Sequence, residues 1–87
     1  MTLNDVKLYL RIDGTNEDNL INELITASES YMRDAISDFD DKKADPEWLA
    51  KAEQAQRLLI ADWFENRLPT ARPANAAVTL IITQLQL

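Results

Sequence analysis

One glycine and three prolines in 87 residues leave this chain few places to turn. Gly14 follows Asp13, Pro46 follows Asp45, and Pro69 and Pro73 bracket "PTARP". Each falls where a helix would start or stop, because proline removes a backbone donor inside a helix and glycine readily ends one. Between them, apolar residues recur at three- and four-residue spacing. The spacing predicts an all-α fold, a small helical bundle of about four helices forming a single domain over 1–87.

Thr2 with Asp5 three residues later is a helix start of the capping-box type, Asp replacing the usual Glu. Leu3, Val6 and Leu10 then share one face. Asp13-Gly14 reads as a turn pair, and Thr15 with Asp18 repeats the capping pattern. Over 15–37 one stripe carries Ile21, Leu24, Ile25, Ser28, Met32, Ala35 and Ile36. Ile21, Leu24, Ile25 and Met32 are its core candidates. "DFDDKKAD" reads as a polar loop.

Asp45 as cap with Pro46 at the first helical position opens a third helix, expected to run to about Arg67. Its Leu49, Ala52, Gln56, Leu59, Ile60, Trp63 and Arg67 project to one side, which places Leu59 and Trp63 in the predicted core. The last segment, "ANAAVTLIITQLQL", has no charge. Val78, Ile81, Ile82 and Leu85 fit a fourth helix, although "VTLIIT" is rich in β-formers and also fits an extended strand.

The chain has no Cys and no His. Disulfides, Cys/His zinc sites and His-activated nucleophiles are therefore excluded. Asp38, Asp40, Asp41 and Asp45 do not make an EF-hand, because Lys42 and Lys43 fall at its fifth and sixth positions. Asp13, Asn16, Glu17 and Asp18 are better read as turn and capping residues. A single glycine supplies no phosphate-cradling loop. The sequence predicts no catalytic residue, no metal and no cofactor.

"RLLIADWFENRLP" sets Trp63 beside Phe64, but a base-stacking platform needs interleaved basic residues. Here the flanking charges include Asp62 and Glu65. The formal charge of −6 sits entirely in residues 1–45, with 11 acidic and 5 basic side chains; residues 46–87 hold 4 of each. Such a balance repels phosphate. "MTLNDVKLYL" lacks the basic start and long apolar core of a signal peptide. No apolar run reaches the roughly 18 residues of a membrane span. A soluble, cytoplasmic chain is expected.

The far side of the third helix, with Ala50, Gln54, Leu58 and Ala61, is sparse in charge for an exposed face. A helix that is apolar or small on two sides packs something on both. Leu58 and Ala61 are therefore candidates for a contact between copies. In the tail, Leu80 and Leu87 point away from the Val78–Ile82–Leu85 face and are candidates for the same contact.

"LNDVKLYLRIDGTNEDNLINELITASESYM", residues 3–32, resembles the opening of the small head–tail connector proteins of tailed bacteriophages and prophages. The shared features are Val6, Lys7, Leu10, Arg11, Ile12 and Asp13, the acidic pair Glu17-Asp18, then Leu24, Ile25 and Tyr31. "LLIADWFENR", residues 58–67, is similar to that family's second signature, an apolar run ending in an aromatic pair and Glu-Asn-Arg. The resemblance implies a structural virion protein, put together in the bacterial host cytoplasm. It implies a homo-oligomeric ring at the portal exit that contacts the portal protein and tail or head-completion proteins. Duplex DNA would pass through that ring without specific binding. From the residues alone, a small helical adaptor or regulatory module, binding one partner as a monomer or dimer, stays open.

Overall fold

The computed structural model describes residues 1–66 and 76–86. Five helices follow in order: α1 (Leu3–Leu10), α2 (Asp18–Ala35), α3 (Phe39–Lys42), α4 (Pro46–Asn66) and α5 (Ala76–Leu85). No strand occurs among the described residues, so the last segment is a helix and not an extended edge. The expected stops at Pro69 and Pro73, together with Arg67, Leu87 and the Val78 side chain, lie outside the described residues.

α1 begins as its sequence dictates. The Thr2 hydroxyl accepts from the Asp5 N–H at 3.2 Å, and the Asp5 carboxylate accepts from the Thr2 N–H at 3.2 Å. The two bonds satisfy two donors that the helix itself cannot. Its end departs from the expected glycine turn. Arg11 stands in the left-handed region at φ 60, while Gly14 does not. The Ile12 N–H reaches the Lys7 carbonyl at 2.9 Å and the Arg11 N–H the Leu8 carbonyl at 3.3 Å. Those bonds make a Schellman closure with arginine where glycine is usual. Arg11→Gly should therefore raise stability by about 0.5–1 kcal/mol, because the side chain's left-handed strain exceeds glycine's extra unfolded entropy. Urea midpoints of the two proteins check this, and an unchanged or lower midpoint would count against it.

α2 starts later than its apparent cap. Thr15 contributes its carbonyl to the Asp18 N–H at 3.2 Å, but the Asp18 carboxylate turns to Lys7 Nζ at 2.8 Å. The predicted second capping box is replaced by an ion pair that ties α1 to the first turn of α2. The polar loop expected over 38–45 holds one helical turn, α3. Phe39 is the reason: half-buried, it meets Trp48 edge-on with ring centroids 5.3 Å apart. One aromatic anchor outweighs the surrounding Asp and Lys residues.

α4 is the central element, with α1, α2 and α5 all packed on it. Asp45 caps it by accepting from the Glu47 N–H at 3.0 Å. The core gathers Val6 of α1, Ile21, Leu24 and Met32 of α2, Ile36 just beyond it, and Ala52, Ala55, Leu59, Ile60 and Trp63 of α4. Ile82 and Leu85 of α5 complete it. Trp63 also meets Tyr31 edge-on, centroids 5.9 Å apart. Between α2 and α4 lies one buried polar contact. Gln56 Nε2 donates to Ser28 Oγ at 2.9 Å, and Ser28 Oγ donates to the Ile25 carbonyl at 2.8 Å.

The end of α5 is clasped at the start of α4. The Leu85 carbonyl accepts from Trp48 Nε1 at 3.1 Å and from Lys42 Nζ at 3.4 Å. The Gln86 side-chain amide donates to the Ala35 carbonyl at the end of α2. A helix C-terminus leaves carbonyls without internal donors, and these side chains supply them.

Candidate subunit interface

Among the described residues, few surface positions are apolar. Among the described residues, the exposed large hydrophobics are Leu8 at 79 %, Leu80 at 66 % and Tyr9 at 45 % relative exposure. Leu80 projects from α5, whose Ile82 and Leu85 face inward. Thr79, Thr83 and Gln84 are exposed beside it. The outward side of α5 is therefore uncharged and carries one large apolar group.

On α4, Leu58 and Ala61 are half-buried, and Leu58 packs against the core cluster from its edge. Ala50 and Gln54, on the same side, are exposed. Ile21, Leu24, Met32, Leu59 and Trp63 are buried, whereas Ile25 is only half-buried. Ile25 still packs on the core, and its carbonyl receives Ser28. Leu58, Ala61 and Leu80 are not gathered into one patch by a single helix. They occupy α4 and α5 separately.

Leu8 and Tyr9 are the surface residues that sequence reasoning missed. The signal was present in "VKLYL". Once Leu3, Val6 and Leu10 define the buried stripe of α1, residues 8 and 9 must fall off it. Two large apolar side chains off the stripe of an eight-residue helix are an anomaly.

One ion pair, Arg33 with Asp40, links α2 to α3 among the described residues. Arg33 reaches Glu29 at 2.9 Å and Asp40 at 3.3 Å, and its guanidinium lies 5.7 Å from the centroid of the Phe39 ring. Lys43 joins Asp40 at 3.1 Å. The Lys43 hydrogen bond, and after it Arg33, hold the Asp40 carboxyl below the usual carboxylate range. Asp5 is lowered as well, chiefly by the Thr2 backbone N–H and then by the Thr2 hydroxyl. Asp38, Asp40, Asp41 and Asp45 do not act as one acidic cluster: Asp40 answers cations and Asp45 caps α4. No helix among the described residues is long and apolar enough to cross a membrane.

A family model described as phage gp6-like head-tail connector protein matches residues 1–85. No curated protein and no solved structure matches the chain. The match runs through all five helices and both blocks that carry the sequence resemblance, and the chain belongs to the phage gp6-like head-tail connector family.

Proposed function

We propose that this chain forms a homo-oligomeric ring at the portal exit, joining phage head to tail and extending the DNA channel. The observation that carries the reading is the family match over 1–85. Exposed Leu8, Tyr9 and Leu80 are apolar groups that contacts between copies could cover. The partners are other copies of the chain, the portal protein and tail or head-completion proteins. Assembly takes place in the host cytoplasm, and the finished site of action is the virion.

Duplex DNA passes through such a ring without specific binding. A basic lining would hold phosphates through counterion release and slow the duplex. A chain of net charge −6 offers no such grip. Leu58, Ala61, Leu80 and Leu87 are the proposed contact residues between copies. Negative-stain images of the purified protein, alone and mixed with portal, test the ring directly. Rings or portal-bound collars are expected; monodisperse small particles in both samples would count against the reading.

Leu58 offers a finer test. Leu58→Asp should weaken assembly at least tenfold, about 1.4 kcal/mol, with helicity by circular dichroism nearly unchanged. A variant that unfolds instead would assign Leu58 to the subunit's own core.

A further inference from the structure

The chain's single glycine is not required by its backbone. Gly14 has no positive φ, and a Cβ built on it would meet nothing within 4 Å. The missing side chain instead leaves the Gly14 amide nitrogen bare, next to the carboxyl of Asp13. Both residues are exposed, in the connection between α1 and α2. The chain is tied down on either side of them. The Ile12 N–H is spent on the Lys7 carbonyl at 2.9 Å, and the Asp18 N–H on the Thr15 carbonyl at 3.2 Å. Among the described residues, no hydrogen bond engages the Gly14 N–H, and no hydrogen bond or ion pair engages the Asp13 carboxyl. We infer that Asp13 is a site of spontaneous covalent modification, isomerising to isoaspartate with the Gly14 nitrogen as internal nucleophile.

The nitrogen attacks Cγ of the protonated Asp13 carboxyl. A C–N bond forms, the C–OH bond breaks, and the hydroxyl leaves with the amide proton as one water. The product is a cyclic imide, a succinimide. Water then opens the ring at either carbonyl. Attack at Cγ restores aspartate; attack at the backbone carbonyl carbon gives isoaspartate, whose main chain runs through Cβ and Cγ. Nothing but water leaves and returns. The chemistry is internal to one chain and does not rest on the ring reading.

The fold sets this acid apart from the others. Asp5, Asp34 and Asp62 lie within helices, where the N–H of the next residue is held in the helical ladder. Asp45 precedes Pro46, which has no N–H to attack with. Asp38 precedes Phe39, whose ring is packed on Trp48. Only at residue 13 is a free carboxyl followed by glycine, the residue with the widest choice of backbone angles.

Ageing the folded protein beside the same protein unfolded in guanidinium tests the site. Trypsin, cutting after Arg11 and Arg33, releases peptide 12–33 for mass spectrometry. In both samples a second form of equal mass should grow at similar rates, placed at residue 13 by its fragment ions. A form lighter by one water should precede it. Deamidation of Asn16 changes the mass and is not confused with it. At Asp62 isomerisation should be slower in the folded sample than in the unfolded one. Asp13→Glu should lose the signal at residue 13, and Gly14→Val, which the open space admits, should slow it. The aged folded parent should also accept methyl groups from an isoaspartyl carboxyl methyltransferase, and Asp13→Glu should lose most of that labelling. If residue 13 isomerises in guanidinium but not in the folded protein, the fold shields it and the inference is wrong. Absence of isoaspartate at residue 13 from both samples overturns it as well.

Discussion

Trp63→Ala will cost about 3–5 kcal/mol, the range for truncating a large aromatic in a packed core. Only 2 % of Trp63 is exposed, and the Tyr31 ring of α2 meets it edge-on. For a domain of this size that is a large share of a total stability of roughly 5–10 kcal/mol. The expected result in urea is a midpoint displaced far toward zero denaturant. Trp63→Phe separates volume from polarity: it keeps an aromatic body and removes an indole N–H that finds no acceptor among the described residues. It should cost under about 1.5 kcal/mol. An Ala variant that melts like the parent but fails to assemble would move Trp63 from the core to an interface.

The second large effect is expected at Leu85. Leu85→Ala should cost about 2–4 kcal/mol, and most of the damage should stay in α5. Ile82 and Leu85 are the buried anchors of that helix, and its other fixed point is the carbonyl clasp at Trp48 and Lys42. α5 makes its main packing contact with α4 alone, whereas α2 meets α1, α3 and α4. Elements with few buried contacts open before the global transition. Trp48 reports the opening, because its indole N–H loses an acceptor and meets water. Placed in a Trp63→Phe background, so that Trp48 is the one remaining tryptophan, the variant should show an emission shift at denaturant concentrations where most helicity persists. Coincident fluorescence and helicity transitions would show that α5 melts with the whole.

How far the sequence alone reached can be judged element by element. The all-α class, the capping box at Thr2 and the cap at Asp45 followed from local rules, because side-chain-to-backbone bonds three residues apart need no tertiary partner. The long stripes of α2 and α4 were legible for a related reason: periodicity over many residues averages out single exceptions. Ile25 shows the limit, since the stripe's edge depends on the angle of the neighbouring helix and not on spacing. The turn at Arg11 was hidden because Gly14, three residues on, offered the cheaper left-handed residue and was not used there. α3 was hidden because its one decisive contact, Phe39 on Trp48, spans nine residues and a change of direction. "VTLIIT" could not be resolved between helix and strand from propensity, because burial against α4 decides it. The surface patches split the same way. Leu80 stood out by its place in an uncharged tail, while Leu8 and Tyr9 were masked by the charged residues around them.

The buried pair of Ser28 and Gln56 has a consequence for manufacture. Apolar helix faces tolerate sliding, since one methyl group packs on another much as its neighbour does. A polar pair does not. Shifting α2 along α4 by one turn, about 5.4 Å, would strand the Gln56 amide away from Ser28. An unpaired buried donor costs about 1–3 kcal/mol. The pair thus works as a detent that holds the two longest helices at one setting. In any closed circle of identical parts, an angular error in one part recurs in every part and adds up around the circumference. In the ring proposed above, a detent inside each copy would limit that error before the ring is begun.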